Sequence, residues 1–189
     1  METKNIMIVG VGGQGSLLAS KLLGHLLLTQ GYDVKVSEVH GMSQRGGSVS
    51  TQVRYGDKVY SPIVGKGSAD VIVAFEEMEA LRWLDHLKIG GKMVINDYRI
   101  QPVPVNLGVA EYPEGIIDHL KEKCEVLAFK AADVATELGN PKAMNVVLLG
   151  ALVKAMGLDE IDWDAEIEAN VKAKFIDLNK KAFHAGYSL

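Results

Sequence analysis

The sequence contains one cysteine, Cys124, in 189 residues. An iron–sulfur cluster needs about four thiolates, and a C-x-x-C redox pair or an intrachain disulfide needs two. None of these can be built from this chain alone, so it lacks the residues to run redox chemistry unaided. Cys124 reads instead as a small apolar filler beside a strand. Histidine is also sparse: the five residues, at 25, 40, 86, 119 and 184, lack metal-ligand spacing. Glu38 and His40 are close, but two ligands do not make a zinc site, and no metal is expected. Long apolar runs are missing. The longest, Val146 to Val153, is interrupted by Gly150 and falls short of the roughly 20 residues a membrane span requires. The polar start, Met1 to Asn5, and the brief run Ile6 to Val9 do not make a signal peptide. An excess of basic charge is missing too. Twenty Lys and Arg face 24 Asp and Glu, a net charge of −4, so nucleic acid is not an expected partner. These absences describe a soluble, cytoplasmic chain.

What is present alternates. Asn5 to Val9 reads as a buried strand, Gln14 to Gln30 as a leucine-rich helix closed by Gly31, and Asp33 to Val39 as a second strand. This β-α-β opening demands a parallel sheet. Ser48 to Tyr55, Gly56-Asp57 and Lys58 to Ser61 read as a hairpin. Further strands are expected at Asp70 to Phe75, Lys92 to Asn96 and Glu125 to Phe129. Helices are expected near Glu77 to Leu87, Glu114 to Lys123 and Ala131 to Leu138. Gln101 to Pro113 holds three of the five prolines and should be irregular or edge-like. Asn140-Pro141 starts a helix to Met156 that is apolar almost all round, hence buried in this domain or against another chain. Asp162 caps a last helix, about 162–186, with Ile167, Val171, Phe175, Leu178 and Ala182 in one stripe. The pattern predicts a single domain over 1–189: a three-layer α/β/α sandwich on a Rossmann-like, mainly parallel sheet, with a hairpin insertion and C-terminal helices.

Gly10-Val11-Gly12-Gly13-Gln14-Gly15 is a G-x-G-x-x-G sequence between a strand and a helix. Its glycines let the backbone turn tightly, and the free amides at the helix start attract phosphate. In that context an anion or nucleotide site is favoured over a purely structural turn. Glu38 ends the second strand, where dinucleotide-binding folds keep the acid that holds a ribose hydroxyl. A second glycine-rich loop follows directly, with Ser43, Gln44, Arg45, Gly46, Gly47 and Ser48. Arg45 suits bidentate capture of phosphate or carboxylate, and it sits at the carboxyl end of a strand, where open α/β sheets bind ligands.

Through these segments, Gly10 to Ser16 and Glu38 to Val49, together with Ser61-Pro62, Ala69-Asp70, Glu76 to Arg82 and Gly139 to Gly150, the chain resembles the gamma-type subunits of the 2-oxoacid:ferredoxin oxidoreductases. The form H-G-M-S-Q-R-G-G-S-V is most similar to the small (beta) subunits of the indolepyruvate branch. The helix from Asp162 to Leu189 matches nothing specific. The resemblance implies oxidative decarboxylation of a 2-oxoacid, indolepyruvate or another aryl pyruvate, to an acyl-coenzyme A, with electrons passed to ferredoxin. It implies a large partner subunit carrying thiamine diphosphate and the iron–sulfur clusters, with this chain inactive alone and near the coenzyme A path.

The expected cofactor-binding residues are Gly10, Gly12, Gly13, Gln14, Gly15, Ser43, Gln44, Arg45, Gly46, Gly47, Ser48 and Asn145, converging on one cleft between adjacent loops. No catalytic residue is assigned. Asn145 reaches a ligand or satisfies a local backbone group, and the resemblance favours the ligand. Glu76, Glu77 and Glu79 read as a helix start rather than an acid–base cluster, and Trp83 and Trp163 as packing. From the residues alone, a self-sufficient NAD(P)-binding dehydrogenase or a nucleotide-binding regulatory module stays open, as does a homo-oligomer.

Overall fold

The computed structural model describes residues 1–39 and 46–189. In chain order these form β1 (Lys4–Val11), α1 (Ser16–Thr29), β2 (Asp33–Val39), β3 (Ser48–Gly56), β4 (Ala69–Ala74), α2 (Glu77–Arg82), β5 (Leu87–Asn96), α3 (Val103–Asn106), α4 (Ile116–Lys121), β6 (Glu125–Phe129), α5 (Ala131–Glu137), α6 (Met144–Met156), α7 (Trp163–Asn170) and α8 (Ile176–Tyr187). Short 3₁₀ turns at Leu84–His86, Pro141–Ala143 and Ala173–Phe175 complete the set.

The six strands make one sheet in the order β2-β3-β1-β4-β5-β6. β1, β4, β5 and β6 pair in parallel. β3 runs against both β1 and β2, so five strands share one direction and the α/β class expected from the alternation is what forms. Two details of the sheet differ from the sequence reading, and the helix expected to reach Leu87 ends at Arg82, Leu87 opening β5. Lys58 to Ser61 is not a strand, so the expected hairpin does not exist; β3 pairs with β2 instead, from Asp33 opposite Gly56 to Val39 opposite Ser50. β1 and β2 are therefore separated by a strand, although they keep the common direction that a β-α-β unit imposes. The segment after β3 serves as a cover. Val64 donates its amide to Gln52 Oε1 at 2.6 Å, and Arg54 reaches the carbonyls of Ser61 and Ile63.

Strand alternation fills two cores. Ile6, Ile8, Val71, Val73 and Val94 point to one face, against α1, α5, α6, α7 and α8. Met7, Val9, Ile72, Ala74, Met93 and Ile95 point to the other, against α2 and α4. The apolar α6 is buried along Asn145 to Val153 by this chain itself, because α8 crosses it closely. A Cβ on Gly150 would strike the Phe183 carbonyl, and one on Gly186 would strike the Val147 carbonyl. Its apolarity thus needs no partner chain. The expected last helix is two. The chain turns extended at Val171 and re-enters helix at Ile176, while Asp162 does cap the first of them through the Ala165 amide at 3.0 Å.

Candidate functional site

At the carboxyl edge of the sheet, β1 is followed by a crossover toward β2, whereas β4 leads away toward β5 and β6. In open α/β sheets such a reversal leaves a crevice outside the strand ends. A cleft of about 690 Å³ lies there. It is lined by Gly12, Gly13, Gln14 and Gly15 on one side, by Tyr98 and Ile100 after β5, by Ala132 of α5, and by Pro141, Lys142, Met144 and Asn145 at the head of α6.

The glycine loop forms one wall because its own side chains and neighbours pin it. Gln14 Oε1 accepts the Val11 amide at 2.7 Å, and its Nε2 donates to the Phe75 carbonyl at 2.9 Å. The same carbonyl accepts from Asn96 Nδ2, whose oxygen receives the Ala131 amide, so the ends of β1, β4 and β5 and the start of α5 are tied together. Gly15 caps α1 with φ of 84°, a left-handed conformation that costs a residue with a Cβ about 1–2 kcal/mol. Asn145 Nδ2 donates to the Gly15 carbonyl at 3.1 Å. No side chain caps α1, whereas at the head of α6 Asn140 Oδ1 accepts the Lys142 amide and Asn145 Oδ1 the Val146 amide. The leading amides of a helix lack intrahelical partners, so the positive ends of both dipoles face the cleft.

Gly12, Gly13, Gln14, Gly15 and Asn145 of the expected site therefore meet in one cleft. Gly10 lies buried beneath them, against Gln14 and Phe75. Gln14 and Asn145 spend their amides on the loop, which makes them its fasteners. Ser43, Gln44 and Arg45 lie outside the described residues. The second loop returns at Gly46, and Gly47 joins the first loop directly, its carbonyl accepting the Gly12 amide at 2.9 Å. Ser48 points elsewhere, donating to the Glu79 carboxylate on α2. Lys142, Tyr98, Ile100 and Met144 were invisible to the sequence reading. Only the Asn140-Pro141 start, within the matching segment Gly139 to Gly150, hinted at that wall.

Glu38 is exposed on β2, accepting from the Ser20 hydroxyl at 3.5 Å. Because β3 intervenes, it stands two strand spacings from β1, about 10 Å rather than the about 5 Å of a dinucleotide fold. That placement overturns its ribose-binding reading.

The three acids at the head of α2 are buried. Glu76 caps the helix through the Glu79 amide at 3.0 Å, and also accepts from the Ile100 amide at 3.2 Å and from the Tyr112 hydroxyl. Glu77 binds Arg99 Nε through both oxygens, at 3.1 and 3.0 Å. Its burial raises the Glu77 pKa, Arg99 works against that rise, and Asp97 adds to it. Burial, reinforced by Glu76, raises that of Tyr112. The helix-start reading holds, but these carboxylates also anchor the segment that forms the far wall of the cleft.

Cys124 is half-buried, its thiol raised by burial and donating to the Leu120 carbonyl at 3.5 Å. A cluster ligand is a thiolate, so the donor set does not fit an iron–sulfur centre. Among the described residues no group of three or more His, Cys, Asp or Glu is placed to hold a metal ion, and no helix is long and apolar enough to cross a membrane.

Comparison with known proteins places this geometry. Residues 5–189 match the family described as pyruvate ferredoxin/flavodoxin oxidoreductase. The indolepyruvate oxidoreductase subunit IorB of Thermococcus kodakarensis is 46% identical, with 98% of this chain and 95% of that protein covered. The keto/oxoacid ferredoxin oxidoreductase gamma subunit of Geobacter sulfurreducens has the same fold, with a TM-score of 0.76 at 23% identity over 100% of this chain and 96% of its own. The fold also recurs, with a TM-score of 0.74 at 20% identity, in 31% of the chain of the 2-oxoglutarate:ferredoxin oxidoreductase of Magnetococcus marinus, whose structure has 2-oxoglutarate, coenzyme A and succinyl-CoA bound. The chain belongs to the pyruvate ferredoxin/flavodoxin oxidoreductase family, as a gamma-type small subunit of a 2-oxoacid:ferredoxin oxidoreductase.

Proposed function

We propose that this subunit holds coenzyme A for a cytoplasmic enzyme that oxidatively decarboxylates aryl pyruvates such as indolepyruvate and passes the electrons to ferredoxin. The observation that carries the reading is the cleft at the sheet's switch point. The uncapped start of α1, the N-terminal end of α6 and Lys142 give it positive charge, and Tyr98, Ile100 and Met144 give it an apolar wall. Coenzyme A combines several phosphates with a flat base and a pantetheine arm, which suits such a lining. The family, the matching segment at Arg45, and the coenzyme A bound in the Magnetococcus enzyme point the same way. Aryl pyruvates follow from the indolepyruvate name of the Thermococcus relative.

In this role the chain binds and orients and does not itself react. Thiamine diphosphate supplies the carbanion chemistry when bound, and it and the clusters belong to the larger partner. The amides of Gly13 and Gly15, with Lys142 and Arg45, hold the phosphates, while Gln14 and Asn145 keep the loop in shape.

The test is steady-state kinetics of the assembled enzyme with coenzyme A varied at saturating 2-oxoacid. A charge-assisted hydrogen bond contributes about 1.5–3 kcal/mol, and 1.4 kcal/mol is one decade. Lys142→Gln and Arg45→Ala are each expected to raise the KM for coenzyme A about tenfold, and Arg45→Lys to restore part of it. The KM for the 2-oxoacid should stay within about twofold. Unchanged coenzyme A dependence in both variants would remove the assignment.

A further inference from the structure

Between β5 and α4 the chain throws out a strap, residues 98–113, that builds part of the cleft with its inner side and buries little with its outer side. No residue of α3 within it is buried. Val103 is 69% exposed, Leu107 71% and Val109 76%. From Ile100 to Ala110 there is no charged side chain, in a protein of which 23% of residues are charged. A free surface loop of this length would ordinarily be polar, and charge depletion around exposed apolar side chains is the composition of an interface centre.

The strap is nevertheless held firmly. Both of its ends are fixed to the buried head of α2. Arg99 pairs with Glu77, and the Ile100 amide and the Tyr112 hydroxyl both donate to Glu76. The Glu77 amide bonds back to the Tyr98 carbonyl at 3.1 Å, and Arg99 lies over the Tyr112 ring at 5.4 Å. Burying carboxylates is costly unless they are paired and hydrogen-bonded. Here two are buried and engaged to fix a segment of which Tyr112 alone packs against a core. Pro102, Pro104 and Pro113 stiffen it further, since proline fixes its own φ. A segment ordered before a partner arrives loses less entropy on docking.

We infer that the outer face of the strap, Val103, Leu107 and Val109, is the apolar centre of the contact with the catalytic chain of the assembled oxidoreductase, which seats that chain at the mouth of the cleft. The inference rests on the subunit role proposed above. The catalytic chain is chosen over a second copy because Tyr98 and Ile100, on the same strap, line the cleft: a partner held here stands where a ligand bound in the cleft must be delivered. In the Magnetococcus chain, moreover, this fold takes up 31% of the polypeptide, so there it is one part of a larger body. The three side chains do not amount to a standard interface of about 800 Å² per partner; they are its dry centre, with the cleft rim supplying the polar surround.

The experiment uses the full-length chain and the catalytic subunit, with affinity measured by calorimetry and mass by light scattering. Val103→Lys/Leu107→Lys/Val109→Lys should weaken the complex at least about hundredfold, because it places desolvated charge in an apolar contact. The variant's own melting temperature should stay within about 2 °C, as these side chains are exposed. Ile89→Lys, at a fully exposed apolar position outside the strap, is the control and should bind as wild type. If the triple variant bound the catalytic chain like wild type, the inference would fail while the subunit role stood. If wild type formed no complex with that chain, both would fail together. If the variant instead converted a wild-type homodimer to monomer with partner affinity intact, the strap would belong to a second copy and the inference would be overturned.

Discussion

Asn145 fastens the glycine loop through one amide hydrogen. It is buried, and its Nδ2 holds the Gly15 carbonyl at 3.1 Å while its Oδ1 takes the Val146 amide. Asn145→Asp keeps the shape but replaces the donor with a carboxylate facing a carbonyl. Loss of a buried hydrogen-bond partner costs about 1–3 kcal/mol, which in a domain of this size lowers Tm by roughly 2–4 °C per kcal/mol. We expect Asn145→Asp to melt lower than Asn145→Ala in a thermal scan at neutral pH. The reverse order would show that the loop is held otherwise. Asp33 gives a pH signature. Its bonds to Lys35 and to the Val59 amide lower its pKa from 3.8 to about 2. A carboxyl lowered in the folded state stabilises above its unfolded value, and that contribution is lost as pH falls from about 3.8 through about 2. Glu77 is raised, so acidification acts on it with the opposite sign. Asp33→Asn should therefore lower Tm at pH 7 and flatten the decline below pH 4, measured by melts across that range. At this scale the glycine loop was legible because its spacing is local. The partners of Glu76 and Glu77 were not: Tyr112 lies 36 residues and Arg99 22 residues along the chain, and no periodicity connects them.

Helix crossing distance is set by the smallest residues at the contact. α6 and α8 meet through Gly150 and Gly186, each against backbone of the other helix. Gly150→Ala and Gly186→Ala would gain about 1 kcal/mol of intrinsic helix preference. That gain loses to a clash with carbonyls that no side-chain rotation relieves, and overpacking of a tight core costs about 1–3 kcal/mol or more. Each substitution should lower the urea midpoint, whereas Gly24→Ala, whose Cβ would meet only Val36 Cγ2 at 3.5 Å, should raise it or leave it unchanged. Gly150 was visible in the sequence only as a break in an apolar run; its partner lies in a segment that matched nothing. Strand order was hidden for a related reason. Alternation in Ser48 to Tyr55 announces a strand but not its neighbours, so a hairpin with Lys58 to Ser61 and insertion between β1 and β2 look alike until tertiary pairing decides. The unbroken apolar stripe from Ile167 to Ala182 likewise concealed the extended residue at Val171, since a helical period survives a short interruption.

The whole molecule divides its labour between the two faces of one sheet. The face carrying α2 and α4 supports the strap and, through Glu79, the exit of the second loop at Ser48. The face carrying α1 and α6 supplies both helix starts that look into the cleft, and these two helices stand in register because α7 and α8 pack behind them. His25 of α1 meets Glu166 of α7 at 2.6 Å, and Trp163 stacks on Phe183 of α8 at 5.2 Å. The C-terminal helices are on this view part of the site's foundation, and residues 1–189 should unfold as one domain. A chain ending at Phe175 tests this. It removes Phe183, Ala182 and Gly186 from a core in which they are buried and opens one side of α6 along its length. Losing a buried Phe alone costs about 3–5 kcal/mol, against a total domain stability of about 5–15 kcal/mol. The shortened chain should therefore lose its cooperative melt and bind a hydrophobic dye at temperatures where the full chain does not. Retention of a sharp transition near the full-length Tm would make the last helix an appendage, and the registration of α1 against α6 would then have to come from the sheet alone.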